Sequence, residues 1–341
     1  MGEKNKKYKR IMTLYPLKFR AQLFHKIWGG NTIAQWYNHV PDDYDNVGEA
    51  WVLSDVEKYP TEVCNGAHTG DTLRDLIEVY MDDLMGEKVY ATYGNYFPLL
   101  LKFIDAVDDL SIQVHPDDEY AVEHENSLGK TEMWYVLPSS KEASIYLGWN
   151  KPMDVATIHR AIEDTSLTQY LHQYAVKSGD VAYIPAGTVH AMKRNTIVAE
   201  IQENSDITYR LYDYNRVGKD GCLRPLKLNQ ALEVLNYESA PANVIKHPEI
   251  DEKGVSLLCQ TPFFTSNRLV ITQAVTRDYR SLDSFVAFMC IEGQATIEAL
   301  DSDSPDKQVC IQKGEAVLIP AMLRDIMIQP NDECQLIEIY M

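Results

Sequence analysis

The chain has no long apolar run. Across its 341 residues nothing approaches the roughly 18 uninterrupted apolar positions of a membrane-spanning helix, which removes the membrane as a partner. It is also poor in positive charge: 32 Lys and Arg stand against 50 Asp and Glu, a formal net charge of −18. Nucleic-acid binding needs clustered basic side chains, so no nucleic-acid partner is expected. Any anionic ligand would need a local basic pocket working against the overall field. Cysteine is sparse and scattered, at Cys64, Cys222, Cys259, Cys290, Cys310 and Cys334, with no CxxC pair. A thiolate metal site and a disulfide framework are therefore disfavoured, and the thiols read as reduced, in a cytoplasmic protein. The opening MGEKNKKYKRIM is basic but has no apolar core or small-residue cleavage site. It reads as a short disordered tail rather than a secretory signal.

What is present is ordinary for a soluble globular protein: 45% apolar and 24% charged residues. The length suits two domains or one elaborated one. In the stretch 72–89, Leu73, Leu76, Ile77, Tyr80 and Leu84 fall on one helical face, and Thr72 with Asp75 gives a capping-box start. Further helices are expected at 153–174, broken near Asp164, at 226–236 after Pro225, and in a short piece with Pro116 at its first position. Most other segments are short, β-branched or aromatic, and bounded by turn residues, for example FPLLLKFIDA, MWYVL, ASIYLG, DVAYIP and TIVAEIQ. Strands resume after about residue 240, so the fold class is mainly β, with a sandwich or barrel architecture.

An internal echo sharpens this. SGDVAYIPAGTVHAM, 178–192, aligns without gaps on KGEAVLIPAMLRDIM, 313–327, with Met322 in the place of Gly187 and Asp325 in the place of His190. The simplest account is two related jelly-roll β-barrels with a small helical part. Residues 1–239 would form the unit that keeps the chemistry, and 240–341 a degenerate copy.

Successive strand side chains face opposite ways, so Gln113 and His115 of SIQVHPDDEYA share a face. That pair alone is weak evidence. Asp117, Asp118 and Glu119 behind it suit the positive end of a helix dipole rather than a ligand set. GDVAYIPAGTVH, 179–190, is more specific: it matches the cupin signature G-x5-P-x-G-x2-H, in which Pro185 and Gly187 shape a turn that aims His190 inward. The companion signature would add Gln113, His115 and Glu132. Two imidazoles, a carboxylate and an amide oxygen make a sensible set for one zinc ion.

The ordered stretches PLLLKFIDAVDDLSIQVHPDDEYA, GKTEMWYVL, GDVAYIPAGTVHAM and VAEIQENSDITYRLYDYNR, with KIWGGNTIAQW and GEAWVLSD before them, resemble the type I mannose-6-phosphate isomerases in their short bacterial form. The resemblance implies zinc at Gln113, His115, Glu132 and His190, and isomerisation of mannose 6-phosphate to fructose 6-phosphate through a cis-enediol. It implies Lys130 and Arg210 as catalytic residues and Glu200 and Asp206 as acids of the same site. A lysine acting as base needs a depressed pKa, and a cationic metal centre pushes that way. Longer members follow the arginine with Gly-Leu-Thr-Pro-Lys, whose lysine lies near the substrate. Here LYDYNR follows, so the phosphate-binding group is open among Arg216, Lys219 and Arg224.

Two other classes compete: a cupin dioxygenase using non-haem iron, and a non-catalytic sugar-binding cupin. Gln113 in place of a histidine argues against the first, and the intact ligand set against the second. The expected partner is a small sugar phosphate, and the sequence does not choose between a monomer and a weak dimer.

Overall fold

The computed structural model describes residues 13–37, 46–139, 142–218, 221–240 and 245–341; the basic N-terminal stretch and Lys219 lie outside them. Four antiparallel sheets stack in order. The first has five strands: Tyr209–Tyr212, Ile112–Val114, His190–Met192, Ala143–Trp149 and Leu171–Val176. The second has seven: Ile245–Lys246, Val181–Ile184, Glu132–Val136, Thr196–Glu203, Leu99–Ala106, Gln22–Gly30 and Val47–Leu53. The third has six: Leu17–Lys18, Ala316–Ile319, Val286–Glu292, Cys334–Tyr340, Thr265–Ile271 and Val255–Gln260. The fourth has four: Val275–Asp278, Asp325–Pro330, Gln294–Ala299 and Gln308–Gln312. The fold is mainly β, as two jelly-roll sandwiches. Among the described residues no pairing joins the two sheets of either sandwich into a closed barrel.

Alternation across the pleat explains the layering. Leu99, Leu101 and Phe103, Met133 and Tyr135, and Ala199 and Ile201 leave one face of the seven-stranded sheet and share a core with Ala287, Met289, Ile337 and Ile339 of the six-stranded sheet. Their in-between neighbours Ile104, Ala106, Trp134, Val136 and Val198 face the five-stranded sheet and pack on Ile145, Leu147 and Met192. The six-stranded sheet repeats the rule, sending Val286, Phe288 and Cys290 into the core of the second sandwich. The aligned 15-residue stretches occupy equivalent places. Val181–Ile184 and His190–Met192 bridge the sheets of the first sandwich, and Ala316–Ile319 and Asp325–Pro330 those of the second.

The helices follow their signals with shifted ends. Leu73–Met85 starts at Thr72 with a complete capping box, Thr72 N donating to Asp75 Oδ2 at 2.9 Å and Asp75 N to Thr72 Oγ1 at 3.3 Å. The expected helix to 89 divides at Gly86, whose φ is +91°, and restarts as Glu87–Tyr93. A Cβ at Gly86 would sit 2.6 Å from the Asp283 carbonyl oxygen, so this junction requires glycine. Pro116 is not the first helical residue. Asp117 is the N-cap, accepting from Tyr120 N at 2.9 Å, and the helix is Asp118–Glu125. The stretch 153–174 is corrected more heavily. Val155–Glu163 is helical and Leu167–Tyr170 is a 3-10 turn, but Leu171–Val176 is a strand on Ala143–Trp149. The backbone groups of that sheet edge need a partner, and this overrides the weak helical pattern. The last expected helix is Leu228–Val234.

Two measurements test this arrangement. Phe285 is fully buried, its ring 4.6 Å from that of Phe97. Phe285→Ala should lower stability by about 3–5 kcal/mol in a denaturant titration, whereas truncating the exposed Val79 should cost under about 0.5 kcal/mol. Burial, then Asp118, pushes the Glu203 carboxyl up to about 8 from 4.5. The folded state therefore holds a proton that the unfolded state gives up, and this group's contribution falls as pH rises from about 4.5 to about 8. Glu203→Gln should raise the melting temperature more at pH 8.5 than at pH 5; an equal shift at both would refute the assignment.

Candidate active site and metal centre

The polar exceptions to the alternation lie on the face that looks at the five-stranded sheet. Lys102 pairs in register with Glu200, Glu200 with Trp134, and Gln202 with Glu132. Across the gap, Gln113 pairs with His190 on one side and with Arg210 on the other. Pleat and register thus bring together residues far apart in sequence, 97 positions for Gln113 and Arg210 and 98 for Lys102 and Glu200.

His115, Glu132 and His190 are buried, and one ligand atom from each lies within 4.8 Å of the others. His115 Nδ1 donates to the Ile207 carbonyl and His190 Nδ1 to the Thr188 carbonyl, each at 2.8 Å. A carbonyl only accepts, so both rings carry their proton on Nδ1 and present an unprotonated Nε2. Those atoms lie 3.6 Å from Glu132 Oε2 and 3.3 Å from Glu132 Oε1. Burial first, then the charges of Lys130 and His190, holds His115 well below the usual imidazole range. Burial pushes His190 down to about 4. Both rings are neutral at pH 7 and competent as ligands.

A cation fits the residues present. Glu132 Oε1 is buried without a hydrogen-bond donor, while Oε2 takes the Lys130 ammonium. An unsatisfied carboxylate oxygen in the interior costs a few kcal/mol, about 1–3 or more for a charged group, and a metal ion among these donors removes that cost. The Gln113 amide stands 3.3 Å from His190 Nε2, and turning its plane over presents the carbonyl oxygen there instead. The donors are nitrogen and oxygen with a single carboxylate, a set that suits zinc.

The group backs onto a cleft of about 470 Å³. Gln113, Lys130 and Trp134 form the wall between them, with the Trp134 ring 5.5 Å from that of His190. Lys130 Nζ is 3.1 Å from His115 Nε2. Burial disfavours the Lys130 ammonium, but Glu132 and Glu200 outweigh it and hold the group above the usual lysine range. The protein's own charges therefore raise this lysine, and the depression a lysine base needs would have to come from the cationic metal centre. Glu200 accepts from Trp134 Nε1 at 2.8 Å and pairs with Lys102 at 3.3 Å. Arg210 lines the cleft, and its buried Nε has no partner. Asp206 is exposed on the rim. Arg216 is not brought to the cleft; its guanidinium is bonded to Asp213 and the Asp109 carbonyl. Arg224 does line it.

Among the lining residues not singled out from sequence, four form one group. Lys26 pairs with Glu49 at 3.0 Å, Trp51 Nε1 donates to Glu49 at 2.8 Å, and Lys102 Nζ lies 4.8 Å from the Trp51 ring centre. Burial opposes the Glu49 charge, but Lys26 and Lys102 outweigh it and hold the carboxyl at about 2. One signal was available: Lys102 is the one charge on the face of strand LLLKFIDA that carries Ile104 and Ala106, Asp105 lying on the other face.

Comparison with known proteins agrees with this geometry. Residues 16–142 match the phosphomannose isomerase type I catalytic domain. The chain is 34% identical to mannose-6-phosphate isomerase ManA of Bacillus subtilis over 325 residues, 95% of this chain and 98% of that one. It is 30% identical to the mannose-6-phosphate isomerase of Streptococcus mutans, covering 94% and 99% of the two chains. The crystal structure of the Bacillus subtilis mannose 6-phosphate isomerase superposes with a TM-score of 0.82 at 30% identity, covering 96% of this chain and 100% of that one. A zinc-bound mannose 6-phosphate isomerase shares the fold at 16% identity, with a TM-score of 0.74 over 96% of this chain and 99% of that one. With motifs, fold and end-to-end similarity in agreement, the chain belongs to the type I mannose-6-phosphate isomerases.

Proposed function

We propose that this protein interconverts mannose 6-phosphate and fructose 6-phosphate, with one zinc ion held by Gln113, His115, Glu132 and His190. The observation that carries the reading is the convergence of two unprotonated imidazole nitrogens on a buried carboxylate with one unsatisfied oxygen, beside a cation-lined cleft. Zinc, when bound, supplies Lewis acidity against the negative charge that develops on the sugar oxygens. The protein supplies the rest. Lys130 touches Glu132 and His115, so its ammonium is placed to hold or pass a proton at a sugar oxygen. Arg210 lines the cleft with a buried Nε that has no hydrogen-bond partner among the described residues, placed to face the enediolate. Glu200 fixes Lys102 and the Trp134 indole at the wall of the cleft.

Two further proposals accompany this. Residues 1–239 form the catalytic unit and 240–341 the degenerate copy. Support comes from the site, drawn wholly from the first part, and from Asp325 in the place of His190, paired with Arg280. The cytoplasm is the proposed compartment; six free cysteines support it.

The test is turnover. Zinc-replete protein should interconvert the two sugar phosphates in a coupled assay, and a chelator should abolish this reversibly. Metal-replete protein without turnover would sink the reading. His190→Ala should lose zinc and activity together, whereas Arg210→Ala should keep zinc by metal analysis and lose about a hundredfold or more in kcat. Retained zinc and a near-normal rate in His190→Ala would show that the ligand set is wrong.

A further inference from the structure

The two ends of the cleft differ in charge balance. Near the metal group each lysine has its own carboxylate: Lys26 with Glu49 at 3.0 Å, Lys102 with Glu200 at 3.3 Å, and Lys130 with Glu132. At the end formed by the segment after Tyr209, the cations outnumber their partners. Asp213 is shared by Arg216 and Arg224, its Oδ2 lying 3.0 Å from Arg224 Nη1. Lys227 Nζ has only Glu125, at 3.7 Å. Arg210 has no carboxylate within ion-pair distance among the described residues, and Asp206 on the rim pairs with none of these cations. Of the cations lining this end, Arg224 shares Asp213 with Arg216 and Lys227 faces Glu125, while Arg210, between the two ends, has no ion-pair partner among the described residues, so the positive charge is only partly matched. A phosphate monoester carries about −1.5 to −2 at pH 7.

The backbone shows how this end is assembled. After Arg210 the chain turns through Tyr214 and Asn215, both at positive φ (+55° and +54°), and doubles back. Val217 bridges Leu223, Arg224 N donates to the Arg216 carbonyl at 3.1 Å, and Lys227 N to the Arg210 carbonyl at 3.1 Å. Residues 14 and 17 positions beyond Arg210 thereby return to its side, and both line the cleft. This fold-back delivers two cations to the side of Arg210.

We propose that Arg224 and Lys227, beside Arg210, form the site that binds the substrate's phosphate group. The proposal rests on the isomerase reading for the identity of the substrate, but the anion site stands on the geometry alone. Arg224 is held by Asp213 and gives a fixed guanidinium edge, the donor geometry that suits phosphate oxygens. Lys227, with its side chain 48% exposed and lying over the Tyr209 ring, is a flexible point charge at the mouth. The zinc end then meets C1 and C2 of the sugar while the phosphate on C6 sits at the arginine end.

The experiment is calorimetric titration of inorganic phosphate into the zinc-loaded full chain, with KM for mannose 6-phosphate measured in parallel. Arg224→Ala and Lys227→Ala should each weaken phosphate binding about tenfold or more and raise KM with a smaller effect on kcat, while Arg224→Lys recovers part of the loss. Lys151→Ala, an exposed lysine over Tyr170, should change neither. If Arg224→Ala unfolds through loss of the Asp213 pair, Lys227→Ala decides, because its side chain is exposed. Phosphate binding at the wild-type level in Lys227→Ala, or an equal loss in Lys151→Ala, overturns the proposal. Absence of turnover with the phosphate effect intact would keep the anion site and overturn only the isomerase reading. Turnover with unchanged variants would do the reverse.

Discussion

The buried carboxylate of Glu132 is the constraint around which the first sandwich is organised. A carboxylate removed from water has to be met by protons or cations. Here one oxygen takes Lys130, and the other faces His190 Nε2 with no hydrogen bond. The surrounding structure keeps that second oxygen from finding a partner: each histidine spends its only N–H on a backbone carbonyl. The same pair of hydrogen bonds that leaves Glu132 unsatisfied makes the rings competent as ligands. Stability is given up locally to make a metal centre, and the apolar layers on either side hold it in shape.

Those layers depend on one sheet having two faces of opposite character. On the seven-stranded sheet Leu101, Phe103 and Ala199 bury against the second sandwich, while Lys102, Glu132 and Glu200 on the opposite phase build the site. This gives the second sandwich a physical role. It covers the apolar back of the seven-stranded sheet, which would otherwise face water. Its own interior carries a closed polar group, Glu338 held by Arg277, Tyr279 and Asn267, in which every carboxylate oxygen has a partner. A satisfied carboxylate of this kind has no spare valence for an ion, unlike Glu132.

Much of the fold was legible because strands and capped helices carry local signals. The Thr72 capping box, the period-two strands and the repeat at 178–192 and 313–327 all stand where the pattern put them. The errors fell where tertiary need overrode local preference. Leu171–Val176 became a strand to complete a sheet edge, and Gly86 split a helix because its backbone meets Asp283. In the site, the cluster of His115, Glu132 and His190 was readable because motif spacing encodes it. Lys26, Glu49 and Trp51 were not, because their roles come from meeting one another and Lys102 across paired strands, which no motif spacing encodes.

The sequence by itself determined the ligand types, the strand alternation that puts Gln113 and His115 on one face, and the family. These are properties of spacing along the chain. Only the tertiary structure decided that Lys130 is held charged by Glu132 and Glu200, that Arg216 is spent on Asp213, and that Arg224 and Lys227 return to the cleft instead. Charge balance at a site depends on distances between strands and loops far apart in sequence, and those distances exist only once the sheets have paired and packed.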